Sequence, residues 1–143
     1  MGTPRLVASD VDGTLLDPME TVTPRTAAVV ARAIAAGTPF VLVSGRPPRW
    51  IPKVAAAVGV SGLAVCGNGS VLYDIAADRI VTAHTLPPDT LHDLVHAVRT
   101  ALPECRVATE RVGESALAMA GQEFATEAGY RHPWPGDTVY TVP

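Results

Sequence analysis

Three short apolar runs, each ending in a polar cluster, constrain what this chain can fold into. Leu6-Val7-Ala8 leads into Ser9-Asp10-Val11-Asp12-Gly13, Pro39 to Val43 into Ser44-Gly45-Arg46, and Leu63 to Cys66 into Gly67-Asn68-Gly69-Ser70. Runs this short, without polar alternation, suit strands covered on both faces, and residues 5 to 10 are read as a buried strand of that kind. Two helical stretches separate the runs. Thr23 caps the first, with Pro24 at its first position, where the missing N–H costs nothing, and Gly37 closes it. The second runs from about Pro48 to Val58 and stops at Gly59. Strand, helix, strand, helix, strand implies an α/β fold with right-handed crossovers, whose ligands bind beyond the carboxyl ends of the strands. All three polar clusters fall at those ends.

The first cluster is electrostatically odd. On an extended strand Asp10 and Asp12 share a face, with α-carbons roughly 6 to 7 Å apart. Like charges that close call for a cation or a shared proton, hence metal binding or proton transfer. A calcium loop of EF-hand type would need Gly and Glu at its sixth and twelfth positions. Leu15 and Thr21 stand there.

After Ser70 the texture changes. Val71-Leu72-Tyr73 and Arg79-Ile80-Val81 read as a hairpin, and Pro88 to Leu102 as an amphipathic helix with Leu91, Leu94, Val95, Val98 and Leu102 on one face. Strands are expected at 106–109, 116–119 and 138–142, and a helical stretch near 122–128. Hairpin, helix and antiparallel strands suggest an α+β layer, with a second module starting between Ser70 and Pro87. We place the division at 1–75 and 76–143.

The chain has 143 residues and a net charge of -3, which argues against nucleic acid as a partner. No apolar run approaches the ~18 residues of a membrane span. Cys66 and Cys105 match no metal-ligand spacing and read as free, buried thiols in a reducing compartment, so the expected location is cytoplasmic. His92 and His96 lie four apart, a zinc-compatible spacing, but without a third ligand they read as a solvated helix face. Trp50 and Trp134 read as packing residues.

Asp10-Val11-Asp12-Gly13-Thr14, continued by Leu15-Leu16-Asp17, resembles the first motif of the haloacid dehalogenase superfamily of phosphatases. Val43-Ser44-Gly45-Arg46-Pro47 resembles the second motif. Cys66-Gly67-Asn68-Gly69-Ser70 resembles the turn of the Cof-type branch, in which an α+β cap of subfamily IIB follows the third strand. The resemblance implies a Rossmann-like parallel sheet core with an inserted α+β cap, both incomplete here. It implies a Mg2+-dependent phosphomonoesterase acting on small phosphorylated metabolites such as sugar phosphates. Asp10 would be the nucleophile that becomes a phosphoaspartate, and Asp12 the general acid and base. Mg2+ would bind the Asp10 carboxylate and the Asp12 backbone carbonyl. Gly13, Ser44, Gly45, Arg46 and Asn68 would serve substrate binding. For three of these a plainer reading stands beside the catalytic one. Ser44 also fits a helix N-cap, Arg46 a simple partner for an acid, and Asn68 a residue tolerating a left-handed turn.

The family pattern also needs a later lysine or arginine and a distal acidic motif. The single lysine, Lys53, comes too early, and Gly136-Asp137 follows Pro133-Trp134-Pro135 instead of an apolar strand. The expectation is the front part of a longer enzyme, ending inside its cap. Mg2+ affinity and turnover should then be weakened, and one sheet edge left unpaired and prone to self-association. A non-catalytic metal- or phosphate-binding piece is the alternative. A receiver-type phosphoacceptor domain fits poorly, because strand three ends in Cys66-Gly67-Asn68 and carries no aspartate.

Overall fold

The computed structural model describes residues 4–131 and 139–142. They belong to two compact units, Met1–Ala83 with Glu114–Ala116, and His84–Gly113 with Leu117–Pro143.

The first unit holds β1 (Val7–Asp10), α1 (Pro24–Ala35), β2 (Phe40–Val43), α2 (Ile51–Val58), β3 (Leu63–Cys66), β4 (Val71–Asp74) and β5 (Arg79–Ala83) in one sheet of order β1-β2-β3-β4-β5. β1, β2 and β3 are parallel, as the alternation of runs and helices predicts. Their register sets Asp10 beside Val43 and Val43 beside Val65, so the polar residues that follow each strand emerge along the same edge. α1 begins where expected, with Thr23 Oγ1 accepting the Thr26 N–H at 3.1 Å. α2 follows a single 3-10 turn, Pro48–Trp50, and ends at Gly59 in the left-handed conformation. Leu42 and Ala64 are wholly buried, packed in a core that includes Val30, Ile51, Val54, Ala55 and Val58.

Two expectations change in this unit. β1 is not a buried strand: Ala8 and Asp10 are exposed and Leu6 is 54% exposed. Among the described residues β1 pairs only with β2, so it forms an edge of the sheet. The 71–81 hairpin, read as the start of the α+β layer, instead continues the first sheet by antiparallel pairing of β4 with β3. The turn at Gly67–Ser70 reverses the chain, and Val71 and Tyr73 turn inward to join the core. The Tyr73 hydroxyl donates to Asp78 Oδ1 at 2.8 Å, and the same oxygen accepts the Ala116 N–H at 3.0 Å.

The second unit holds α3 (Pro88–Ala101) and a sheet of β6 (Ala108–Glu110), β7 (Phe124–Glu127) and β8 (Tyr140–Val142). β6 is antiparallel and β8 parallel to β7. The stretch expected to be helical near 122–128 is therefore a central strand, where pairing on both sides overrides weak local preference. Residues 116–119, expected as a strand, form turns, and Ala120 and Gly121 at φ +51 and +90 break any extended run. α3 forms as predicted, yet none of its residues is fully buried and Leu94 is 50% exposed. A cleft of about 340 Å³ is lined by residues that include Leu91, Val95, Val107, Ala125 and Val142. Arg99 forms an ion pair with Glu127, whose other oxygen accepts the Val107 N–H at 3.0 Å. His92 and His96 face solvent as expected. Both cysteines are free, but Cys105 is only half-buried. Trp134, Gly136-Asp137 and Thr138 lie outside the described residues.

Candidate active site

The turn after β1 presents the polar residues by burying the apolar ones between them. Val11, Leu15 and Leu16 are all buried, and the amides of Thr14, Leu15 and Leu16 converge on the Val11 carbonyl. Asp10, Asp12, Gly13 and Thr14 are left facing outward. Gly13, at φ +73, takes a conformation that a side chain would resist. None of these turn bonds uses the Asp12 carbonyl.

The two carboxylates have separate partners, because the strand ends at Asp10 and strict alternation stops there. Asp10 Oδ2 accepts the Thr14 hydroxyl at 3.3 Å. Asp12 is gripped by Arg46, with Nε at 3.0 and 3.1 Å from its two oxygens and Nη2 at 2.6 Å from Oδ1. The Ser44 hydroxyl adds a bond to Asp12 Oδ2 at 3.3 Å. Hydrogen bonding from Arg46 holds the Asp12 carboxyl below its ordinary range; partial burial works the other way, and the guanidinium charge and Ser44 add to the lowering. The cation that the acidic pair demanded is thus supplied, for Asp12, by the protein.

Ser44 and Arg46 come from the end of β2. Ser44 is buried, and its Oγ accepts the Arg46 N–H at 3.0 Å, which shapes the turn. It is not a helix N-cap; the following 3-10 turn is capped by Pro47. Asn68, from the end of β3, is left-handed at φ +55, and its N–H donates to the Ser44 carbonyl at 3.3 Å. Its side chain lies against Gly45, where a Cβ would stand 3.0 Å from Asn68 Oδ1, so a larger residue there would push the Asn68 side chain aside by a few tenths of an ångström. Asp10, Asp12, Gly13, Ser44, Gly45, Arg46 and Asn68 all stand along the carboxyl edge of the parallel strands.

Two contributors escaped the sequence reading. Glu20 Oε1 lies 3.3 Å from Arg46 Nη2. Trp50, read as packing, offers its ring to Arg46 Cζ at 5.7 Å and to Arg49 Cζ at 4.8 Å. Only the nearness of Trp50 to the second motif could have suggested its role, and nothing local marked Glu20.

A family model described as haloacid dehalogenase-like hydrolase matches residues 7–132. The chain belongs to that family. A pyridoxal phosphate phosphatase of Escherichia coli is 38% identical to this haloacid dehalogenase-like chain over 85 residues, covering 59% of the chain and 31% of that protein. The chain spans about a third of the length of the curated relatives it matches first. The solved structure of a haloacid dehalogenase-like hydrolase from Bacteroides thetaiotaomicron is similar, with TM-score 0.68 and 23% identity, over 89% of this chain and 45% of that one. A structure titled as a subclass IIB sugar phosphatase gives TM-score 0.62 at 14% identity, over 87% of this chain and 44% of that one. These likenesses show the shared fold, the Rossmann-like α/β architecture that the motifs imply.

Proposed function

We propose that the carboxyl edge of β1, β2 and β3 is the phosphoryl-transfer site of a Mg2+-dependent phosphomonoesterase acting on sugar phosphates or other small phosphorylated metabolites. The observation that carries this reading is the convergence of Asp10, Asp12, Ser44, Arg46 and Asn68 from three strand ends onto one edge. The names of the E. coli relative and of the sugar phosphatase support the substrate class.

In this reading an Asp10 oxygen attacks phosphorus, and the ester P–O bond breaks with its electron pair going to the leaving oxygen. Asp12 protonates that oxygen. Water then attacks the phosphoaspartate, passing a proton to the Asp12 carboxylate; the bond between phosphorus and the Asp10 oxygen breaks with its electron pair returning to Asp10, and inorganic phosphate leaves. Arg46 and Ser44 orient phosphoryl or neighbouring substrate oxygens. The Asp10 carboxylate and the Asp12 carbonyl, which the turn's own bonds leave available, are hard oxygen donors that suit Mg2+. When bound, the ion supplies positive charge against the phosphoryl oxygens.

The test is hydrolysis of a generic aryl phosphate with Mg2+ by the purified chain, below stoichiometric protein. Turnover that Asp10→Asn abolishes supports the reading, and full activity in that variant removes it. The grip of Arg46 on Asp12 favours a second reading, in which the edge binds phosphate or metal without turnover, since a carboxyl so held stays ionised and carries no proton for the leaving oxygen. Phosphate binding without catalysis is its signature. A cytoplasmic location fits the free cysteines and the small-metabolite substrate class.

A further inference from the structure

Arg46 is held very unequally by its two acidic neighbours. Asp12 takes both Nε and Nη2, with the shortest contact at 2.6 Å, whereas Glu20 reaches only Nη2, at 3.3 Å. The Glu20 side chain is 65% exposed and that of Arg46 15%. The bidentate contact with Asp12 holds the guanidinium without help from Glu20, and the Trp50 ring centroid lies 5.7 Å from its Cζ. Glu20 is nonetheless presented to the arginine by an unusual backbone. It sits at φ +57 in a turn that Asp17 ties down, accepting the amides of Met19 and Thr21 at 2.9 Å each and the Thr21 hydroxyl at 2.7 Å. A long side chain in the left-handed region persists only where its surroundings over-determine it, and such positions gather at ligand clamps.

We propose that Glu20 is a positioning residue acting through Arg46: its carboxylate, on the exposed side of the guanidinium, is displaced by an anionic oxygen of the ligand. This rests on the reading above, in which Arg46 faces substrate, and adds that an incoming phosphate competes with an acid of the protein itself. Of the two acids, the one with a single long and exposed contact gives way, and Asp12 keeps its hold. Glu20 thereby weakens binding of weakly charged anions and favours a ligand able to bid strongly for one guanidinium nitrogen.

The test uses inorganic phosphate with Mg2+, titrated calorimetrically into the 143-residue chain at low ionic strength. Glu20→Gln should bind phosphate about two- to fivefold more tightly, the range that an exposed ion pair spans. Glu20→Asp separates displacement from a general charge effect. It keeps the charge but draws the carboxylate back by one methylene from a contact already at 3.3 Å, so it too should bind more tightly. In an Arg46→Lys background, where parent affinity falls, the gain from Glu20→Gln should disappear. Unchanged or weaker binding by Glu20→Gln, or a gain that survives without Arg46, overturns the displacement. Unchanged binding by Arg46→Lys alone, or no phosphate binding by the parent, overturns the role of Arg46 itself and the displacement with it.

Discussion

Arg46 closes on Asp12 across 34 positions of chain, through two nitrogens and with its shortest contact at 2.6 Å. The pair joins the ends of β1 and β2, and it holds the Asp12 carboxyl below its ordinary range. Lysine cannot reproduce the fork. Arg46→Lys should therefore raise the titration midpoint of Asp12 toward the ordinary 3.8, from below it in the parent. Because the native value is depressed, the pair's contribution to stability is present above the unfolded value and lost as pH falls through the native one. Carboxyl carbon NMR of Asp12 across an acid titration reads both midpoints, and equal values would show that the contact is not held in solution.

A similar sign applies to Asp17. The Thr21 amide and hydroxyl, and then the Met19 amide, hold its carboxyl below 3.8. The turn that carries Glu20 should stay closed above that value and loosen as pH drops through the lower native midpoint. Amide shifts of Met19 and Thr21 should follow one titration with a midpoint below 3.8 and should lose it in Asp17→Asn. A midpoint at or above 3.8 would mean that the turn is open.

Tyr73 is 1% exposed and shares Asp78 with the Ala116 amide. Burial and the Asp78 contact push the phenol well up from its usual range. Tyr73→Phe removes one bond while Asp78 keeps the other, so it should cost about 1 kcal/mol in urea unfolding. Asp78→Ala leaves a buried hydroxyl and an amide without that acceptor and should cost more, roughly 2 to 3 kcal/mol. Equal costs would argue against the shared acceptor.

The core of the first sheet offers a separate check. Leu42 lies on the middle parallel strand at 0% exposure, so Leu42→Ala should destabilise the chain by roughly 2 to 5 kcal/mol. The edge strand should behave differently. Ala8→Lys places a charge on exposed β1; it should change stability little, and any association that runs through this edge should weaken in sedimentation. Self-association unaffected by this change would place it elsewhere on the chain.

Much of the first unit was legible because its signals are local. A proline after a capping threonine, a glycine at each helix end and uninterrupted apolar runs act within a few residues. The parallel order follows from them through the constraint on crossovers. The second unit was less legible. Phe124–Glu127 carries little intrinsic preference and became a strand because β6 and β8 pair with it. The exposure of β1 was hidden for the same reason, since an apolar run says that a strand forms and not which neighbours flank it.

The site divides along the same line. Asp10, Asp12 and Gly13 declared themselves in the sequence, because a pair of like charges beside a flexible turn residue is a local electrostatic problem that demands a solution. What answers it for Asp12 is decided only in three dimensions: the register of β1 on β2 brings Arg46 across, α2's leading turn brings Trp50, and a turn tied by Asp17 brings Glu20. Charge and backbone preference act over a few residues and can be read along the chain, whereas the pairing of a guanidinium with distant acids depends on how the strands align.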